Sequence, residues 1–275
     1  MTVRDVRTDE SLSGVRVLVT GATSGLGRSM AEALADSGAR VVITGRDEGR
    51  TAQVAEQIDA DRGRVAGVAM DVRDERSVAD GVRRTVDRLG GLDVLVNNAG
   101  IGMRTVNPEF FTEPRGFWEV APDGFRDVID TNLTGYFLVA RAVVPTFFAA
   151  GGGRIVNISL NEETMIRRGF VPYGPSRAGS EALSRIMAAD LREHSVWVNV
   201  LLPGGATRTG MIPDGMPQAV REQMLDPAVM AAPIRWLCSP AADGVTDERI
   251  VARDFDAWLN TPTDPSRVGS VKRSV

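Results

Sequence analysis

One cysteine, one histidine and one lysine stand in a chain of 275 residues. Cys238 has no second thiol to pair with, which excludes an intrachain disulfide and a cysteine cluster for zinc. A Ser–His–Asp triad would have to be built on His194, which sits in Leu191-Arg192-Glu193-His194, late in a helical pattern, and reads as a helix C-terminal residue. Lys272, near the end of the chain, is the only lysine, so acid–base work falls to Tyr, Arg, Asp or Glu, and no metal site is expected. Net charge is −4 with pI ≈ 5.3, so the chain lacks the basic face that nucleic acid demands. No uninterrupted apolar run approaches the roughly 18 residues of a membrane span. The stretch Met1 to Gly14 has no apolar h-region, so a secretory signal is not expected and the expectation is a cytoplasmic protein.

What is present is an alternation of short apolar strands and amphipathic helices. Strands are expected at 15–20, 41–43, 65–70, 92–96, 153–158, 196–202 and 249–252. Helices are expected at 25–37, 50–58, 75–89, 125–131, 133–149 and 173–193. Apolar strands bounded by glycine and separated by helices imply a parallel sheet covered on both faces, an α/β class. The length suits one domain with its core at about 14–256 and a polar tail over 262–275. Two long connections, 101–122 and 204–218, are the places where such a domain usually carries function. They hold Phe110, Phe111, Phe117 and Trp118, and Met211, Ile212 and Met216, which could line an apolar pocket or simply pack the loops.

The turn Thr20-Gly21-Ala22-Thr23-Ser24-Gly25-Leu26-Gly27 lies directly between the first strand and the first helix. In that position Gly21 permits a tight turn, Gly25 lets the backbone approach a pyrophosphate, and Gly27 lets helix and strand pack closely. The helix start then offers free N–H groups to the phosphates. The second strand ends in Thr44-Gly45-Arg46-Asp47. A site for NAD(H) wants a carboxylate there for the ribose 2′-hydroxyl. Gly45 supplies none, and Arg46 could pair with a 2′-phosphate, so NADP(H) is expected over NAD(H).

With these elements in order, the sequence resembles the short-chain dehydrogenase/reductase family over about residues 14–256. The turn at 20–27 has the family's TGxxxGxG spacing. Asp71-Val72 matches the pair that caps the adenine, Asn97-Asn98-Ala99-Gly100 the NNAG motif, Asn132 the tetrad asparagine, Tyr173 the tetrad tyrosine, and Pro203-Gly204 the turn that meets the nicotinamide. The resemblance implies a doubly wound, three-layer α/β/α Rossmann fold and hydride transfer between nicotinamide and a carbonyl or alcohol carbon of a small-molecule substrate. It implies Tyr173 as general acid or base, a water relay at Asn132, and a homodimer or homotetramer. Cofactor contacts are implied for Gly21, Thr23, Ser24, Gly25, Leu26, Gly27, Arg46, Asp71, Val72, Asn98, Ala99, Gly100, Tyr173, Arg177, Pro203 and Gly204.

Two tetrad positions depart from the family pattern. Four residues after Tyr173 the family's lysine is Arg177, on the same helix face, able to supply charge and hydrogen bonds but no relay through a deprotonated nitrogen. The serine that holds the substrate oxygen stands thirteen residues before the tyrosine, where this chain has Leu160. Ser159 is one step early, and one step along a strand reverses a side chain's direction. A bulge could restore Ser159 as the catalytic group, and Asn161 or Thr164 could also present a donor. These departures keep open a non-redox alternative on the same scaffold: a cyclase, lyase, isomerase or cofactor-binding sensor.

Overall fold

A computed structural model describes residues 11–212 and 218–261. Met216, Lys272 and the tail 262–275 lie outside the described residues. Strands β1 (Arg16–Val19), β2 (Arg40–Gly45), β3 (Val65–Ala69), β4 (Val94–Asn97), β5 (Gly153–Ile158), β6 (Val196–Leu202) and β7 (Arg249–Val251) form one sheet in the order β3-β2-β1-β4-β5-β6-β7. Every strand pair is parallel. This is the doubly wound Rossmann architecture. The β-branched runs buried on both faces explain why the strands were readable: Val17, Leu18, Val19 and Val94, Leu95, Val96 are fully buried and point alternately into two cores.

One core lies under α1 (Gly25–Asp36), α2 (Glu48–Asp59) and two helices the sequence reading did not include, α9 (Ala231–Cys238) and α10 (Phe255–Asn260). Cys238 sits in it with no exposed surface. The other lies under α3 (Glu75–Leu89), α5 (Gly135–Ala150) and α7 (Tyr173–Leu191). Short helices α6 (Glu162–Met165) and α8 (Gln218–Glu222) are again beyond expectation. Local chemistry sets several boundaries. Asp47 caps α2 by accepting from Arg50 N, Asp74 caps α3 by accepting from Ser77 N, and α3 ends at Gly90 in the left-handed region. Asp93, just before β4, receives the Arg16 guanidinium in two hydrogen bonds of 2.6 and 2.9 Å and the Arg16 amide in a third of 2.8 Å, tying the starts of β1 and β4 together.

The two helices expected at 125–131 and 133–149 are one rod: α4 (Pro122–Ile129), a π-helical turn over Asp130–Thr134, and α5. By length and composition this stretch could cross a membrane, but its inner residues Val128, Tyr136, Val139, Val143 and Phe147 are buried against the sheet layer. His194 ends the helical stretch after α7 and lies on Phe148, with ring centroids 4.3 Å apart, as a helix-end residue should.

Candidate active site

The sheet reverses its winding between β1 and β4, where a crevice opens at the carboxyl ends of the strands. The Gly-rich turn and the Asn97–Gly100 segment meet there. Thr20 Oγ1 accepts from the amides of Asn98 and Ala99, each at 3.0 Å, and Asn98 Nδ2 donates to the carbonyls of Thr20 and Gly21 at 2.9 and 3.0 Å. A Cβ on Gly21 would lie 2.6 Å from Ala99 Cα, and one on Gly27 would overlap Asn98 Nδ2, so both positions exclude a side chain. Ser24 precedes α1 in an extended conformation with no side-chain cap, and no acidic residue stands in the first turn. The helix start is thus kept open for an anion, and these residues fit a dinucleotide pyrophosphate.

Beside that turn, Gly45 is hemmed in: a Cβ there would lie 2.7 Å from Thr23 Cγ2 and 2.8 Å from Thr51 Oγ1. Arg46 next to it is exposed, and its charge adds to the pull on the Asp71 carboxyl. Asp71 itself is paired with Arg73 at 2.8 Å, which holds its carboxyl below the usual range despite partial burial. Val72 is turned into the core, where its side chain packs toward Gly135, so it can meet an adenine only through its main chain. Leu26 packs partly against the α1-side core. Gly204 takes a left-handed φ of +94°, and a Cβ on it would lie 2.7 Å from Val251 Cγ1. Beyond Pro203-Gly204 the chain folds back over α1. The Thr209 side chain lies 3.3 Å from where a Gly25 Cβ would be, and a cleft of about 610 Å³ opens there, lined by Gly25, Arg28, Ser29, Thr209 and Ile212. The sequence reading did not single out Thr209.

Tyr173 begins α7 and Arg177 follows one turn later. The guanidinium is 3% exposed. Its Nη1 donates to Tyr136 Oη at 2.6 Å and to the Ile158 carbonyl at 2.9 Å, and Tyr136 Oη donates to that same carbonyl at 3.1 Å. Arg177 Cζ lies 5.4 Å from the Tyr136 ring centroid and 5.6 Å from that of Tyr173. Its Nε is buried without a partner among the described residues, and its Nη2 sits where a Gly100 side chain would have to be. Burial works against the charge, but the two phenols outweigh it, and Arg177 holds its proton more firmly than a free arginine. Burial in turn pushes the Tyr136 phenol up, against the pull of Arg177. Tyr136 is a site residue that the sequence reading missed. In the pattern Gly135-Tyr136-Phe137-Leu138 it is one more apolar position, and only the rarity of tyrosine, two in the chain, set it apart.

Asn132 is buried in the π-helical turn with both hydrogens of its amide used. Oδ1 accepts from Ile101 N at 2.9 Å, and Nδ2 donates to the Ile101 carbonyl and to Ser176 Oγ, each at 3.0 Å. Its side chain clamps the segment after Gly100. Ser159 is 6% exposed and its Oγ has no hydrogen-bond partner among the described residues, so it is not bonded to the Tyr173 hydroxyl. β5 ends at Ile158 and the Ser159 amide still donates to the Leu201 carbonyl, so no bulge intervenes to turn the serine. Leu160 is 9% exposed and its carbonyl accepts from Arg249. Of the loop aromatics, Phe110 packs inward with Met103 and Phe170 against Tyr173. Phe111, Phe117 and Trp118 stay exposed, at 44, 69 and 76%.

A family model described as short chain dehydrogenase matches residues 15–218. The chain belongs to the short chain dehydrogenase family. It is 35% identical over 194 residues to gluconate 5-dehydrogenase of Gluconobacter oxydans (strain 621H), covering 70% of this chain and 72% of that protein. Among solved structures, 3-ketoacyl-(acyl-carrier-protein) reductase from Brucella melitensis, complexed with NADH, superposes with a TM-score of 0.77 at 29% identity over 88% of this chain and 97% of that one. A gluconate 5-dehydrogenase from Burkholderia cenocepacia J2315, in complex with NADP and tartrate, gives a TM-score of 0.79 at 26% identity over 91 and 99%. In this member of the family, Tyr173 and Arg177 stand one turn apart at the start of α7.

Proposed function

We propose that this chain is an NADP(H)-dependent oxidoreductase that interconverts a carbonyl and an alcohol on a small-molecule substrate, with Tyr173 as general acid or base. The observation that carries the reading is the placement of Arg177, held between two tyrosine rings one turn after Tyr173, with its Nη2 against Gly100 of the crevice. When bound, the nicotinamide supplies or accepts the hydride. In the reductive direction the Tyr173 hydroxyl gives its proton to the substrate oxygen. Arg177, one turn along α7 with its guanidinium beside the Tyr173 ring, balances the charge left on the phenol oxygen. Leu160 contributes no hydrogen bond, so the oxygen is held by Tyr173 with less help than a serine would give. The turn at 20–27 would hold the pyrophosphate, Asp71 and the Val72 main chain the adenine, and Arg46 the 2′-phosphate. The two solved relatives, one with NADP and one with NADH, support a nicotinamide cofactor, and the blocked position at Gly45 favours NADP(H).

The reading extends to a cytoplasmic protein folded as one domain and assembled as a homodimer or homotetramer. The exposed apolar Phe137 and Phe148 on α5 and Ile186 on α7 support assembly. The test is the absorbance of NADPH at 340 nm against a broad carbonyl panel, with Tyr173→Phe as control. Substrate-dependent oxidation that the control abolishes supports the reading. Tight NADPH binding without oxidation of NADPH by any member of the panel would overturn it in favour of a non-redox protein.

A further inference from the structure

Arginine and lysine differ in how many directions they must satisfy. An ammonium in a buried site needs up to three acceptors around one point, whereas a guanidinium spreads five N–H groups over a plane, and its orientation decides which of them face a ligand. In this protein the plane is fixed from one side. Both Nη1 hydrogens are spent on Tyr136 Oη and the Ile158 carbonyl, and Tyr136 closes the triangle with its own bond to Ile158. The Tyr136 ring lies under the guanidinium, and Tyr136 is 1% exposed, so it cannot move aside without opening the core. What remains is Nη2, which lies against Gly100 on the side of the Tyr173 phenol that also draws on the guanidinium, and an Nε that is buried yet unpartnered among the described residues. A buried, charged N–H without an acceptor is costly, which points to an acceptor that arrives with a ligand.

We propose that Tyr136 is a positioning residue: its hydroxyl, bridging Arg177 and Ile158, fixes the guanidinium so that Nε and Nη2 stay available to the ribose hydroxyls on the nicotinamide side of the cofactor. Tyr136 is then the partner that lets an arginine serve at position 177. It touches neither cofactor nor substrate and acts only through Arg177. This inference rests on the nicotinamide-binding reading above.

The experiment is a double-mutant cycle on binding, by calorimetric titration of wild type, Tyr136→Phe, Arg177→Met and the double variant. Each is titrated with NADPH and with 2′,5′-ADP, which has the adenosine half and no nicotinamide. Tyr136→Phe is expected to weaken NADPH about tenfold and to leave 2′,5′-ADP within about twofold. In the Arg177→Met background it should change NADPH affinity by less than about twofold, since no donor is left at 177 for Tyr136 to hold. Equal weakening of both ligands, or the same loss in both backgrounds, would mark Tyr136 as packing only and overturn the proposal. If wild type binds neither ligand, the cofactor reading itself has failed, a result distinct from a failed cycle. A second measurement needs no substitution at 136. With 3-fluorotyrosine in place of tyrosine the chain gives two fluorine signals, from Tyr136 and Tyr173, assigned with Tyr173→Phe. Addition of NADP+ should move the Tyr136 signal in wild type and not in Arg177→Met. A Tyr136 signal that ignores NADP+ while that of Tyr173 responds would also overturn the proposal.

Discussion

Thr23 fills the space beside Gly45, so closely that any side chain at 45 would meet Thr23 Cγ2 at 2.7 Å. The carboxylate that would favour NAD(H) is therefore excluded by packing as well as by sequence. Wild type should bind NADPH at least about tenfold more tightly than NADH, a difference of about 1.4 kcal/mol, within reach of one charge-assisted contact from Arg46. Fluorescence titration should show that Arg46→Ala narrows this ratio. Gly45→Asp should weaken both cofactors and lower the melting temperature without creating a preference for NADH. A clean switch to NADH in that variant would show that Thr23 and Thr51 yield easily.

Turnover should depend on Tyr173 and Arg177 in different ways. Tyr173→Phe should abolish it and leave NADPH affinity within a few-fold of wild type. Arg177→Met should lower kcat by about a hundredfold or more, the usual scale for losing support of a general acid–base step. Arg177→Lys should retain more activity than Arg177→Met because the charge survives. Steady-state kinetics of the three on one accepted carbonyl decides this, and equal rates for the lysine and methionine variants would remove the electrostatic role of residue 177.

Gly100→Ala should act on the cofactor through Arg177. A methyl group at 100 overlaps Nη2 and comes within 3.2 Å of Asn132 Oδ1, so the guanidinium must tilt. NADPH binding should fall by about tenfold or more while the fold persists, since Asn132 keeps its bonds to Ile101 and Ser176. Circular dichroism and calorimetry together check it.

The Arg16–Asp93 pair predicts a pH signature in stability. Burial alone would push the Asp93 carboxyl up, but three hydrogen bonds from Arg16 overcome it and hold the group below its usual range. A carboxyl depressed in the folded state contributes stability above its unfolded value of about 3.9, and that stability is lost as pH falls toward the folded value. Asp93→Asn should therefore cost about 1–3 kcal/mol at pH 7 in urea unfolding. The gap to wild type should shrink as pH falls below about 4. A gap constant from pH 7 to pH 3 would mean that the carboxylate charge contributes nothing.

Much of this architecture is legible because its signals are local. Val17–Val19 and Val94–Val96 read as buried parallel strands from composition alone. The glycines at 21 and 25 mark their turn because each takes a left-handed φ, of +62° and +56°, which is a local demand, whereas the crowding of Gly27 by Asn98 comes from across the sheet. The spacing points to Leu160 at the serine position, and Ser159 beside it is buried with its hydroxyl unpartnered among the described residues. What escaped depends on contacts far apart in sequence. Tyr136 and Arg177 meet across 41 positions, and nothing near either residue announces the other. The π-helical turn that aims Asn132 follows from packing between the α4–α5 rod and α7, not from a local pattern. Short α6, α8, α9 and α10 carry too few turns for their periodicity to rise above that of a loop.

The lone thiol has a use in the laboratory that follows from where it lies. Burial of Cys238, at the end of α9 in the core shared with α1, pushes its ionisation up to about 12, and no part of it touches solvent. Alkylating reagents attack the thiolate, so the native protein offers them nothing until that layer parts. The rate at which an iodoacetamide dye labels this chain is then a count of openings of the α1–α9 face, read from a single reporter with no background from other thiols.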